Sequence, residues 1–121
     1  MSEIENYKDL RAWQAARRLV REVYNVSNHF PREETFGLQQ QIRRAAVSVP
    51  SNIAEGYGRA SRDDYIRFLR MSRGSMYEVE TQMVLACDLE YVSPESLTPF
   101  RNLFNESIAL LQALIKSLTS K

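Results

Sequence analysis

The chain has 121 residues, 44% of them apolar and 26% charged, with four glycines, four prolines and one cysteine. These are ordinary globular values, which exclude a low-complexity linker or a disulfide-stapled mini-protein and lead us to expect one domain, residues 1–121. The formal net charge of +1 argues against an obligate nucleic-acid binder, and no apolar run approaches the ~20 residues that cross a bilayer, so no membrane partner is expected.

From Asp9 to Asn28 the residues Leu10, Trp13, Ala16, Val20, Val23, Tyr24 and Ser27 recur every three or four positions, the period of one helix face. A first helix is therefore expected over 9–28, with Asp9 as the acid that complements the helix dipole and Trp13 as a core anchor. Phe30-Pro31 ends it, because proline disfavours helical geometry in the residue before it.

After the connector Pro31–Gly37, the residues Leu38, Ile42, Ala45, Ala46, Val49, Ile53 and Tyr57 again share a face, which predicts a second helix over 35–55. Pro50 falls inside it and is expected to kink the axis, since it lacks an N–H and crowds the carbonyl of Ala46. Gly56-Tyr57-Gly58 then offers residues able to take positive φ at a helix C-terminus.

Ser61 with Asp64 resembles a capping box opening a third helix over 62–90. Its buried face is read as Tyr65, Phe68, Leu69, Ser72, Ser75, Met76, Val79, Met83, Ala86 and Cys87. Gly74 lies in the small-residue run Ser72-Arg73-Gly74-Ser75, where a neighbouring helix is expected to approach closely, because glycine costs about 1 kcal/mol against alanine in a helix. Ser93-Pro94 and Thr98-Pro99 are two N-cap and first-turn pairs, predicting a short turn at 94–97 and a fourth helix over 99–118.

Two of these helices carry more apolar surface than a monomeric bundle hides. On the fourth, Leu103, Ile108 and Leu110 widen the apolar stripe, and on the third Met71, Leu85 and Leu89 project off the buried face. These six residues are the expected oligomer interface. Opposed charges favour a head-to-tail contact that closes a ring: residues 43–73 carry a net +4 and residues 74–121 a net −3.

All seven cations of the 43–73 stretch are arginines, Arg43, Arg44, Arg59, Arg62, Arg67, Arg70 and Arg73, the side chain suited to bidentate contact with phosphate or carboxylate. They are the candidate nucleic-acid or anion-binding residues; the plainer reading is a solvated face paired with its own acids, as Asp63 with Arg67 four residues on. Arg59 and Arg62 flank the start of the third helix, where backbone N–H groups point outward to an anion. Gly56-Tyr-Gly-Arg-Ala-Ser61 follows a helix rather than a strand and lacks the third glycine of a dinucleotide loop. His29 and Cys87 have no further ligands for zinc, and neither a nucleophile motif nor a Glu-x-x-His is present, so no enzyme, metal or cofactor is expected. Unpaired Cys87, and a start at Met1–Glu5 without the regions of a signal peptide, point to the cytoplasm.

Three stretches resemble a known family: Tyr7-Lys-Asp-Leu-Arg-Ala-Trp-Gln-Ala-Ala16, Gln41-Ile-Arg-Arg-Ala-Ala-Val-Ser-Val-Pro-Ser-Asn-Ile-Ala-Glu-Gly56 and Gly74-Ser-Met-Tyr-Glu-Val-Glu-Thr-Gln82. They look like the proteins encoded in 23S rRNA intervening sequences, over residues 7 to about 118. The resemblance implies an all-α, up-and-down four-helix bundle and a homopentamer. It extends to the accessory variability protein of diversity-generating retroelements, a strongly basic relative that binds nucleic acid, whereas this chain is nearly neutral. A non-enzymatic oligomeric interaction protein is expected, with low-specificity RNA or DNA binding through the arginine-rich face; the alternative is a protein-binding or assembly scaffold with no nucleic-acid role.

Overall fold

The computed structural model describes residues 3–120; positions 1, 2 and 121 of the expected domain lie outside them. Four helices follow one another, α1 (Arg11–Ser27), α2 (Leu38–Tyr57), α3 (Arg62–Asp88) and α4 (Thr98–Thr119), with single 3-10 turns at Tyr7–Asp9, Arg32–Glu34 and Pro94–Leu97. There is no strand among the described residues. Each helix packs on its neighbours in sequence and α4 closes back on α1, so the bundle runs up and down, with α1 and α3 at diagonal corners. None of the described helices is long and apolar enough to cross a membrane.

The core forms where the four apolar stripes meet. Leu19 and Val23 of α1, Ile42, Val49 and Ile53 of α2, Leu69, Met76, Val79 and Met83 of α3, and Leu111 of α4 are all fully buried. Burial at this scale supplies the main stabilisation of such a bundle, about 1.5–3 kcal/mol for each large aliphatic side chain.

The helix ends differ from the sequence expectations for local reasons. Asp9 does not lead α1. It closes the preceding 3-10 turn in a reciprocal capping box with Asn6, and α1 begins two residues later. The start of α2 is set by Glu34, whose Oε1 accepts the Leu38 N–H at 2.8 Å. A Cβ on Gly37 would lie 2.6 Å from that oxygen, so glycine leaves room for the cap. At Ser61 half of the expected capping box is present: the hydroxyl accepts the Asp64 N–H at 3.1 Å, while the Asp64 carboxylate turns to Arg67.

Pro50 lies within α2, which runs on to Tyr57. Around it Ser48, Ser51 and Asn52 donate to the carbonyls of Ala45, Val47 and Ser48, back-bonding of a kind that accompanies helix bending.

Two glycine expectations are corrected. No glycine has positive φ; among the described residues the one that does is Glu90, at 63°, just past α3. Gly74 is exposed, and a Cβ there would meet nothing within 4 Å. The close approach of α2 and α3 occurs instead at Gly56, where a Cβ would lie 2.8 Å from the Phe68 Cβ. It continues at Ser72, which donates to Val49 O at 2.8 Å, and at Ser48, whose hydroxyl, donating to Ala45 O, accepts from that of Ser75 at 2.6 Å.

Candidate nucleic-acid interface

The seven candidate arginines do not form one cluster. Arg43 and Arg44 stand near the start of α2, about 22 Å along the helix from Arg59 at 1.5 Å per residue. Arg43, half-buried, is held against the end of α1: its Nε donates to the buried Ser27 Oγ at 2.8 Å, and its Nη2 donates to Asn28 Oδ1 at 2.8 Å and Tyr24 O at 3.4 Å. Its guanidinium also lies 4.4 Å from the Tyr24 ring centroid. Such a cation stitches α2 to the end of α1 and has little left for a phosphate.

Arg59 and Arg67 converge on one ring, each with its guanidinium 4.7 Å from the Phe68 centroid. Each also has an acid, Glu55 at 2.7 Å for Arg59 and Asp64 at 3.4 Å for Arg67. Arg67 therefore pairs with Asp64 rather than with Asp63. The start of α3 carries both Asp63 and Asp64 in its first turn, and these carboxylates already complement the dipole that an anion would use.

Four arginines remain. Arg44, Arg62, Arg70 and Arg73 form no ion pair among the described residues. Arg62 and Arg70 share a shallow concavity of about 430 Å³ with Asp63 of α3 and Leu118 and Thr119 of α4. Arg44 borders a different concavity, of about 470 Å³, together with Phe36 and Glu78. Arg73 is half-buried on α3.

The apolar candidates also divide. Met71 and Leu85 on α3 and Leu89 at its C-cap stand 45%, 44% and 54% exposed, while Leu103, Ile108 and Leu110 are half-buried and pack against the bundle's own core. Phe36, inside the expected span 35–55 but off its apolar face, falls in the α1–α2 connector and is 86% exposed.

A second basic surface, also outside the sequence candidates, lies on α1. Lys8, Arg17, Arg18 and Arg21 surround Trp13 and Gln14 in a concavity of about 360 Å³. The signal for it was present in the spacing: Trp13, Arg17 and Arg21 repeat every four residues and so form one ridge.

The model of the 23S rRNA-intervening sequence protein family matches residues 8–113, a span that contains α1, α2 and α3 whole and most of α4. The chain belongs to that family. A crystal structure of a protein of unknown function from the S23 ribosomal protein family of Bacteroides thetaiotaomicron shares this fold, with a TM-score of 0.78 at 24% identity over 87% of this chain and 98% of that one. None of the curated proteins matches.

In this member of the intervening-sequence family His29 and Glu34 hydrogen-bond within their own chain. His29 Nδ1 lies 3.2 Å from Asn25 O, and Cys87 is half-buried against the core. Among the described residues there is no group of three His, Cys, Asp or Glu side chains placed to hold a metal. Burial, with a smaller contribution from the neighbouring Tyr57, pushes the Tyr65 phenol up to about 12, and the two rings meet edge-on with centroids 6.0 Å apart. Glu34 is held below the usual carboxylate value, first by the hydrogen bond from Tyr91 and then by the Leu38 N–H.

Proposed function

We propose that this intervening-sequence protein is a non-enzymatic interaction module that self-associates and binds the phosphates of RNA or DNA with low sequence specificity. The observation that carries the reading is the outer surface of α3, where Arg62, Arg70 and Arg73 form no ion pair among the described residues and share the helix with the exposed Met71 and Leu85, the exposed Leu89 following at its C-cap. Covering the apolar row with a second copy removes that surface from water. It also brings the arginines of several copies together, which a single chain of net charge +1 needs if it is to release enough counterions. A ring closed head to tail, the pentamer the family resemblance implies, does this with one repeated contact.

Two measurements test the reading. Light scattering at micromolar concentration gives the mass of an oligomer, and Leu85→Glu with Leu89→Glu returns it to that of a monomer. Affinity for a labelled RNA or DNA falls with salt, and Arg62→Ala with Arg70→Ala flattens the logarithmic salt slope by about 1.4–1.8 in each copy's contribution. An unchanged slope removes α3 as the binding face.

A scaffold without a nucleic-acid role is the second reading. It is favoured by the engagement of Arg43, Arg59 and Arg67 within their own chain and by the exposure of Phe36. Oligomerisation without any salt-sensitive binding decides for it.

A further inference from the structure

We propose that the concavity on α1 around Trp13 is a subsite for single-stranded nucleic acid, one that engages a base as well as phosphates. It rests on the nucleic-acid reading above and assigns that ligand a second surface, at the corner of the bundle diagonal to α3.

The site is a built one. The 3-10 turn at Tyr7–Asp9 folds back beside the first turns of α1, and Gln14 Nε2 fastens it by donating to Lys8 O at 2.9 Å. Tyr7 meets Trp13 edge-on, with centroids 5.3 Å apart, so the half-buried indole is braced from one side. Lys8 Nζ lies 5.9 Å from the Tyr7 centroid and the Arg17 guanidinium 5.7 Å from that of Trp13. Arg21 follows Arg17 one turn later on the same ridge.

The charges of the lining are all of one sign. Lys8, Arg17, Arg18 and Arg21 border the concavity, and no carboxylate does. Two nearby acids are already engaged: Glu106 pairs with Arg18 at 3.3 Å, and Asp9 Oδ2 accepts the N–H groups of Glu5 and Asn6 at 2.9 and 3.3 Å. That leaves Lys8, Arg17 and Arg21 for successive phosphates, in a hollow of about 360 Å³.

The ligand is a single strand because its bases are free to stack. Bases of a duplex hide their faces, whereas an unpaired base stacks on an aromatic ring or a guanidinium plane, with a cation beside it adding attraction. Trp13 and Arg17 offer such a composite. An acidic peptide would satisfy the cations and leave the aromatic pair without a role.

Trp13 is the one tryptophan of the chain, so its emission reports occupancy of this site alone. The full chain is titrated with a labelled oligothymidylate at about 50 mM salt, reading anisotropy for total binding and Trp13 emission for the subsite. The single strand is expected to quench Trp13 saturably. Arg17→Ala with Arg21→Ala, at two exposed positions, weakens that titration about tenfold or more with the helical circular dichroism retained. Oligonucleotide bound by anisotropy without any change in Trp13 emission overturns the subsite and leaves the α3 reading standing. Absence of binding at low salt overturns both. An equal quench by a duplex, or by a glutamate-rich peptide, overturns the assignment to a single strand.

Discussion

The Tyr91 phenol donates to Glu34 Oε2 at 2.6 Å, while Oε1 of the same carboxylate accepts the Leu38 N–H at 2.8 Å. One side chain thus caps α2 and ties the α1–α2 connector to the start of the α3–α4 connector. Phe30 supports the arrangement, its ring centroid 5.8 Å from that of Tyr91.

Replacing Tyr91 by Phe is expected to lower stability in a pH-dependent way. Glu34 is held below 4.5 in the folded chain, chiefly by Tyr91. A depressed carboxyl contributes stability that is present above its unfolded value and is lost as pH falls through the folded one. The difference between wild type and Tyr91→Phe in urea midpoint is therefore largest near pH 7 and narrows below about pH 4.5. The Tyr91 phenol is raised by the same contact, so its contribution is full below pH 10 and fades as pH rises through its folded value.

Arg43→Met is expected to cost about 1.5–3 kcal/mol in urea unfolding, the range for hydrogen bonds to a charged group. It strips the buried Ser27 Oγ of its arginine partner. Because Arg43 is engaged within the bundle, the salt slope of any nucleic-acid binding stays unchanged in this variant, which separates its structural role from a ligand role.

Two alanine substitutions should move stability in opposite directions. Gly56→Ala forces a Cβ to within 2.8 Å of Phe68 Cβ and 3.1 Å of Tyr65 O, overpacking that costs about 1–3 kcal/mol. Gly74→Ala meets nothing within 4 Å in a helix interior and gains about 0.5–1 kcal/mol. Chemical denaturation of the pair reads both signs.

Glu90→Gly is expected to stabilise by about 1 kcal/mol. Glu90 has φ 63°, and the Tyr91 N–H returns to Ala86 O at 2.9 Å across it, the long bond of a Schellman ending. A side chain in that left-handed conformation carries a cost that glycine lacks. The gain appears as a higher urea midpoint at neutral pH.

The four helices and their inward faces were legible in the sequence because the signals are local. Apolar residues repeat with the helix period, and Pro31, Ser61, Pro94 and Pro99 punctuate the chain where it turns. Ile42, Val49, Leu69, Met76 and Leu111 are buried because no other packing hides all four stripes at once. The long motif from Gln41 to Gly56 likewise sufficed to reveal the family.

The fate of the charges was decided only by the tertiary structure. A guanidinium reaches several ångströms, and its partner is whichever acceptor a neighbouring helix brings within that reach. Arg43 found Ser27, sixteen residues away in sequence, and Arg18 found Glu106, eighty-eight away. Arg59 and Arg67 met over Phe68 because α2 and α3 turn back on each other there. The same holds for the glycines: Gly56 and Gly74 both sit in helices, and which of them faces a partner backbone depends on how α3 is rotated against α2. Helical periodicity determines which residues point inward; packing between helices determines which of the remaining polar groups are still available to a ligand.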